Sequence, residues 1–98
     1  MALAALSGCT NQTPEEARAN LERDYLESCR VWGVNFQAHE MGGAQKYKDR
    51  SLLALYDAQK KVARTPDLEA LDCNGAFEEG VIEGRRRVSA GQIEMGGR

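Results

Sequence analysis

The sequence predicts an all-α fold, a small three-helix bundle, and three observations carry that expectation. Apolar residues recur at intervals of three and four in three separate stretches. Thr-Pro cap signatures open two of them, and a glycine pair or a Thr-Pro turn divides each from the next. At 98 residues the chain is one domain. Only 6% of it is aromatic, so the core is thin and a domain of this size needs something to staple it.

The first helix opens at Thr13-Pro14-Glu15-Glu16. Thr13 suits an N-cap, proline the first helical position, and the two acids the positive end of the helix dipole. Ala17, Leu21, Tyr25, Cys29, Trp32 and Phe36 then form one apolar stripe to about Ala38, where Gly42-Gly43 stop the pattern. A second helix runs from about 44 to 64, with Leu52, Leu55, Tyr56, Gln59, Val62 and Ala63 as its expected inner face. Lys60, Lys61 and Arg64 suit its C-terminal end. Thr65-Pro66-Asp67 repeats the opening signature, and so tight a turn predicts antiparallel packing of the second helix on the third.

The third stretch, about 66–88, carries Ala70, Cys73, Phe77, Val81, Gly84 and Val88, with a kink or break expected at Asn74-Gly75. Gly80 and Gly84 are four apart and suit close packing inside the bundle, ahead of a groove for a partner helix. The helical domain is thus 14–88, and the glycines of 89–98 read as a flexible tail. Glu-Met-Gly-Gly occurs at 40–43 and again at 94–97, without any wider repeat around it.

Charge is unevenly placed. Residues 10–40 hold three basic and six acidic side chains, 41–64 six and two, and 65–98 four and seven. A basic middle between acidic flanks favours complementarity within the bundle over a nucleic-acid surface.

Met1 to Gly8 are uncharged, small or apolar, and lead directly into Cys9, after which the chain turns polar at Thr10-Asn11-Gln12-Thr13. Leu6-Ser7-Gly8-Cys9 resembles the lipobox of bacterial lipoproteins: a leucine, two small residues that let the backbone approach the processing enzymes, and the cysteine whose sulfur takes diacylglyceryl. The resemblance covers residues 1–12 alone. It implies a signal-peptide remnant at 1–8, whose start lies upstream because no Lys or Arg precedes the apolar run. It also implies an acylated tether at 9–13. Thr10 rather than Asp after the cysteine implies release to the outer membrane, facing the periplasm.

With Cys9 assigned to lipid, Cys29 and Cys73 remain, each on a predicted apolar stripe. An even pair in an oxidising compartment reads as a disulfide; two buried thiols acting as small hydrophobes are the alternative. The single histidine, His39, has no second ligand at metal spacing, so no metal or other cofactor is expected. Glu78, Glu79 and Glu83 read as a solvated acidic face. Gly42-Gly43-Ala44-Gln45-Lys46 lacks the spacing of a phosphate loop. Arg85, Arg86 and Arg87 suit a helix C-terminus or contact with an anionic surface.

The functional expectation is a non-enzymatic lipoprotein that binds or blocks another envelope component, in the manner of exclusion lipoproteins or of an accessory subunit. Its partners are the membrane, through the lipid on Cys9, and a protein of the envelope. Neither nucleic acid nor a small-molecule substrate is expected. The rival expectation is a cytoplasmic, phage-type helical regulator or inhibitor in which Leu-Ser-Gly-Cys is accidental.

Overall fold

The computed structural model describes residues 12–96 and is a three-helix bundle: α1 Pro14–Glu40, α2 Gln45–Arg64 and α3 Cys73–Ser89, with a 3-10 turn at Pro66–Ala70. Leu6-Ser7-Gly8-Cys9, the stretch that resembles a lipobox, lies outside the described residues. The opening of α1 is a full capping box. The Glu16 amide donates to Thr13 Oγ1 at 3.1 Å, and the Thr13 amide donates to Glu16 Oε1 at 3.0 Å.

The third stretch is not the single helix from 66 that its spacing predicts. Pro66–Ala70 is one 3-10 turn, and the chain is extended at Leu71 before α3 begins. The break falls ahead of Asn74-Gly75 because Asp72 is the cap, its carboxylate accepting from the Gly75 amide at 2.8 Å. A short polar side chain that bonds the backbone locally outcompetes helix continuation there.

α1 is the central element. α2 and α3 each pack along it and hardly meet one another, so the expected α2–α3 pairing gives way to two separate seams on α1. Small residues and the crosslink draw α3 in. A Cβ on Gly80 would lie 2.0 Å from the Arg30 carbonyl oxygen, and one on Gly33 would lie 2.1 Å from that of Phe77. The two backbones therefore touch, as Gly80 and Gly84 foretell, and Gly33 joins them from α1. Trp32 and Phe36 pack on Phe77 beside this contact, with ring centroids 4.3 and 5.6 Å apart.

The disulfide joins Cys29 and Cys73 across the same seam, with Cα atoms 5.5 Å apart. Cys29 is wholly buried, in one cluster with Tyr25, Ala58 and Leu68. Burial pushes the Tyr25 hydroxyl above its ordinary pKa, with Glu69 adding to the effect.

The seam between α1 and α2 is built differently. α2 buries Tyr47, Ser51, Ala54 and Ala58. Of its expected inner face only Leu55 and Val62 are partly covered; Leu52 is 54% exposed and Tyr56 66%. The helix turns Leu52, Leu53 and Tyr56 outward because the alanine and serine side fits against α1 and can bond to it. Ser51 Oγ donates to the Trp32 carbonyl at 3.2 Å, and Ser28 Oγ donates to Asp57 Oδ2 at 2.8 Å. Lys61 Nζ donates to the same carboxylate at 2.5 Å.

Residues 89–96, expected as a flexible tail, instead fold back on the α1–α2 corner. Ile93 is buried with Ala38 and Tyr47, and Met95 forms an antiparallel bridge with Gly43. The Ala44 amide donates to the Glu94 carbonyl at 2.9 Å, and the Gly96 amide donates to that of Gly42 at 2.8 Å. Glu94, Met95 and Gly96 of the second Glu-Met-Gly-Gly stretch thus lie against the turn that follows the first. The Glu94 amide donates to the Tyr47 hydroxyl at 3.1 Å and Lys46 pairs with the Glu94 carboxylate, but a single buried apolar residue leaves no periodic signal.

Candidate interaction surface

Apart from Tyr47, what α2 hides is small, and what it shows is large. Leu52, Leu53 and Tyr56 are 54%, 66% and 66% exposed, and lie together on the outer surface of the helix with Asp49 and Gln59 beside them. Single exposed apolar residues are ordinary on a protein surface. Three large ones contiguous on one helix, in a molecule whose inner seam uses alanine and serine, are not.

On the α1 side of this ridge runs an open groove of about 550 Å³ between the helices, with Val31, Leu53 and Ala54 for apolar lining, Arg50 and Lys60 as cations and Glu27 as an acid. Asp57 at its edge is held below the ordinary carboxylate pKa, first by the hydrogen bond from Lys61 and then by that from Ser28. The Ser28 hydroxyl also has the Asp24 carbonyl oxygen 3.1 Å away. Serine, aspartate and lysine here form a clamp between helices. The buried hydroxyl is occupied by a carboxylate and not aimed at open space, so the arrangement lacks a free nucleophile.

The cation cluster is split by its surroundings. Arg86 and Arg87 fall in the last turn of α3 and both pair with Glu83, the Arg87 bond measuring 2.8 Å; Arg85 is exposed to solvent. Glu83 is thereby drawn out of the expected acidic face, while Glu78 and Glu79 remain exposed. His39 sits in the last turn of α1, half-buried. Among the described residues no three His, Cys, Asp or Glu side chains converge as a metal site.

The exposed face of α2 was missed by periodicity because the helix is amphipathic in two directions. Leu52, Leu55, Tyr56 and Gln59 fit a helical stripe as well as Tyr47, Ser51, Ala54 and Ala58 do. The signal that separates them is side-chain size: alanines and serines at 51, 54 and 58 permit close approach to a neighbour, whereas the larger set needs a deeper cavity than a chain this short can enclose.

Among the described residues no helix is long and apolar enough to cross a membrane. No family model, curated protein or solved structure matches the chain, so its function has to be argued from its own residues.

Proposed function

We propose that the chain is a small, non-catalytic lipoprotein of the bacterial envelope, tethered to the outer membrane through lipid on Cys9 and acting by binding or blocking another envelope component. The observation that carries this reading is the division of labour among its three cysteines. Cys29 and Cys73 are paired across the α1–α3 seam, a state favoured in oxidising compartments. The third lies after Leu6-Ser7-Gly8, where the lipoprotein motif places the acyl acceptor. The exposed apolar ridge of α2 supports a binding role, since it offers contact area without a reactive group.

Acylation tests the proposal directly. Expressed in a bacterium with its natural upstream region, the wild-type protein should fractionate with membranes and carry the added mass of a lipidated cysteine. Cys9→Ser should be soluble or unprocessed. An unmodified Cys9 in the mature wild-type protein would remove the envelope reading and leave the cytoplasmic regulator in its place.

A further inference from the structure

Charge marks out what the ridge of α2 is suited to meet. Between Gln45 and Arg64 the helix carries Lys46, Lys48, Arg50, Lys60, Lys61 and Arg64 against Asp49 and Asp57. Two of these cations are committed internally, Lys46 to Glu94 at 2.6 Å and Lys61 to Asp57. Lys48, Lys60 and Arg64 are exposed and bracket the apolar side chains. The acidic excess lies elsewhere, on α1 and on the segment from Thr65 onward.

Because α3 is held on α1 and hardly touches α2, the molecule has a basic, apolar-ridged side and a more acidic far side. Such a distribution orients a protein in the field of an anionic surface. It also disfavours a second copy as occupant, since two such basic helices would be brought face to face.

We propose that the outer face of α2 is a docking surface for an anionic lipid bilayer, with Leu52, Leu53 and Tyr56 entering the interfacial region and Lys48, Lys60 and Arg64 contacting lipid phosphates. The composition is that of a helix lying in the interface plane: apolar residues on one exposed strip, cations on its flanks and low overall hydrophobicity. Tyr56 adds an aromatic ring with a polar tip, a residue type enriched at that depth. Of the two exposed acids of the helix Asp57 is paired with Lys61, and Asp49, beside the ridge, sets a limit on how deeply its end enters. This surface names the membrane as one envelope component the protein binds, and it rests on the reading above only for the cell compartment in which such a bilayer is met.

The test uses the full chain carrying Cys9→Ser, so that no lipid anchor contributes. Its partition onto phosphatidylcholine vesicles is measured with and without phosphatidylglycerol by co-sedimentation. Binding should require the anionic lipid and fall as salt is added. Each of Lys48→Gln, Lys60→Gln and Arg64→Gln should weaken it about fivefold, the effect expected of one basic side chain near such a surface. Leu52→Ser, Leu53→Ser and Tyr56→Ser combined should abolish it while the helical circular dichroism is retained.

Equal binding to neutral vesicles, no binding to either, or undiminished binding by the triple serine variant overturns the proposal. So does sedimentation equilibrium that shows a dimer which the same triple variant dissociates, because a second copy then occupies the ridge. None of these outcomes bears on acylation, which is read separately from the mass of the cell-derived protein.

Discussion

The two seams of α1 solve the problem of a thin core in opposite ways. Toward α3 the backbones are in contact through Gly33 and Gly80, and a covalent bond closes the seam. Toward α2 the spacing is set by alanines and serines, and the specificity comes from hydrogen bonds. The first seam uses large side chains, Trp32 and Phe77, beside its glycines; the second buries Tyr47 at one end but leaves Leu52, Leu53 and Tyr56 outside. A chain with few aromatics therefore concentrates its rigidity on one side and leaves an apolar helix face uncovered on the other. The comparison can be broken at either seam.

The largest effect is expected at the disulfide. Its loop spans 44 residues in sequence, for which the chain-entropy model gives about 4 kcal/mol of stabilisation. Cys29→Ser and Cys73→Ser should destabilise by similar amounts in urea unfolding under non-reducing conditions, and the double variant should be no worse than either. A single variant as stable as the wild type would mean that the α1–α3 seam does not depend on its crosslink.

Next comes the glycine contact. Gly80→Ala places a Cβ against the Arg30 carbonyl, and overpacking of this kind costs about 1–3 kcal/mol, partly offset by about 1 kcal/mol of helix propensity. Gly84→Ala should cost less, since its Cβ would lie 2.7 Å from the Val34 carbonyl oxygen. Midpoints equal to that of the wild type for both variants would show that the backbones can separate at no cost.

These two seams also show what was legible in the sequence. The α1–α3 seam could be read because its signals are position-specific: Cys29 and Cys73 on the apolar stripes that also carry Trp32 and Phe77, and Gly80 four residues from Gly84. The N-cap at Thr13 was equally plain. The rotation of α2 was not, because its alanine face and its leucine face satisfy the same helical period and only tertiary fit chooses between them. The return of Ile93 escaped for a related reason, since a single apolar residue among glycines has no period. Within the candidate interaction surface, Leu52 and Tyr56 were recognised as apolar helix positions and assigned to the wrong side.

Smaller effects belong to the polar clamp. Ser28→Ala should cost about 1 kcal/mol, the usual net value of an intramolecular hydrogen bond. The Asp57 carboxyl is held below its ordinary range by Lys61 and Ser28, so the unfolded chain takes up a proton at higher pH than the folded one. Its contribution is therefore present above about pH 4, the ordinary carboxyl range, and is lost as the pH falls through the depressed pKa. Asp57→Asn should shallow that part of the acid-unfolding profile. Because the side chain is 55% exposed, the change should be modest. An unaltered profile would assign the seam to packing alone.

The smallest effect is expected where hydrophobicity alone would predict a large one. Leu52→Ser removes an apolar side chain from a helix, yet that side chain is more than half exposed, so its loss should change stability by no more than about 0.5 kcal/mol. Tyr56→Ser should behave alike, at 66% exposure. The informative control is the opposite substitution on the opposite face. Ala58→Leu adds apolar surface at a position 4% exposed, packed with Tyr25, Cys29 and Leu68. It should nevertheless destabilise by about 1–3 kcal/mol, because the close approach of α2 leaves no room for the extra carbons. Thermal unfolding of the three variants settles which face is inside. If Leu52→Ser unfolds well below Ala58→Leu, α2 is turned the other way and the ridge is core. If the order is as stated, stability does not account for Leu52 and Tyr56, and their exposure calls for a contact outside the chain.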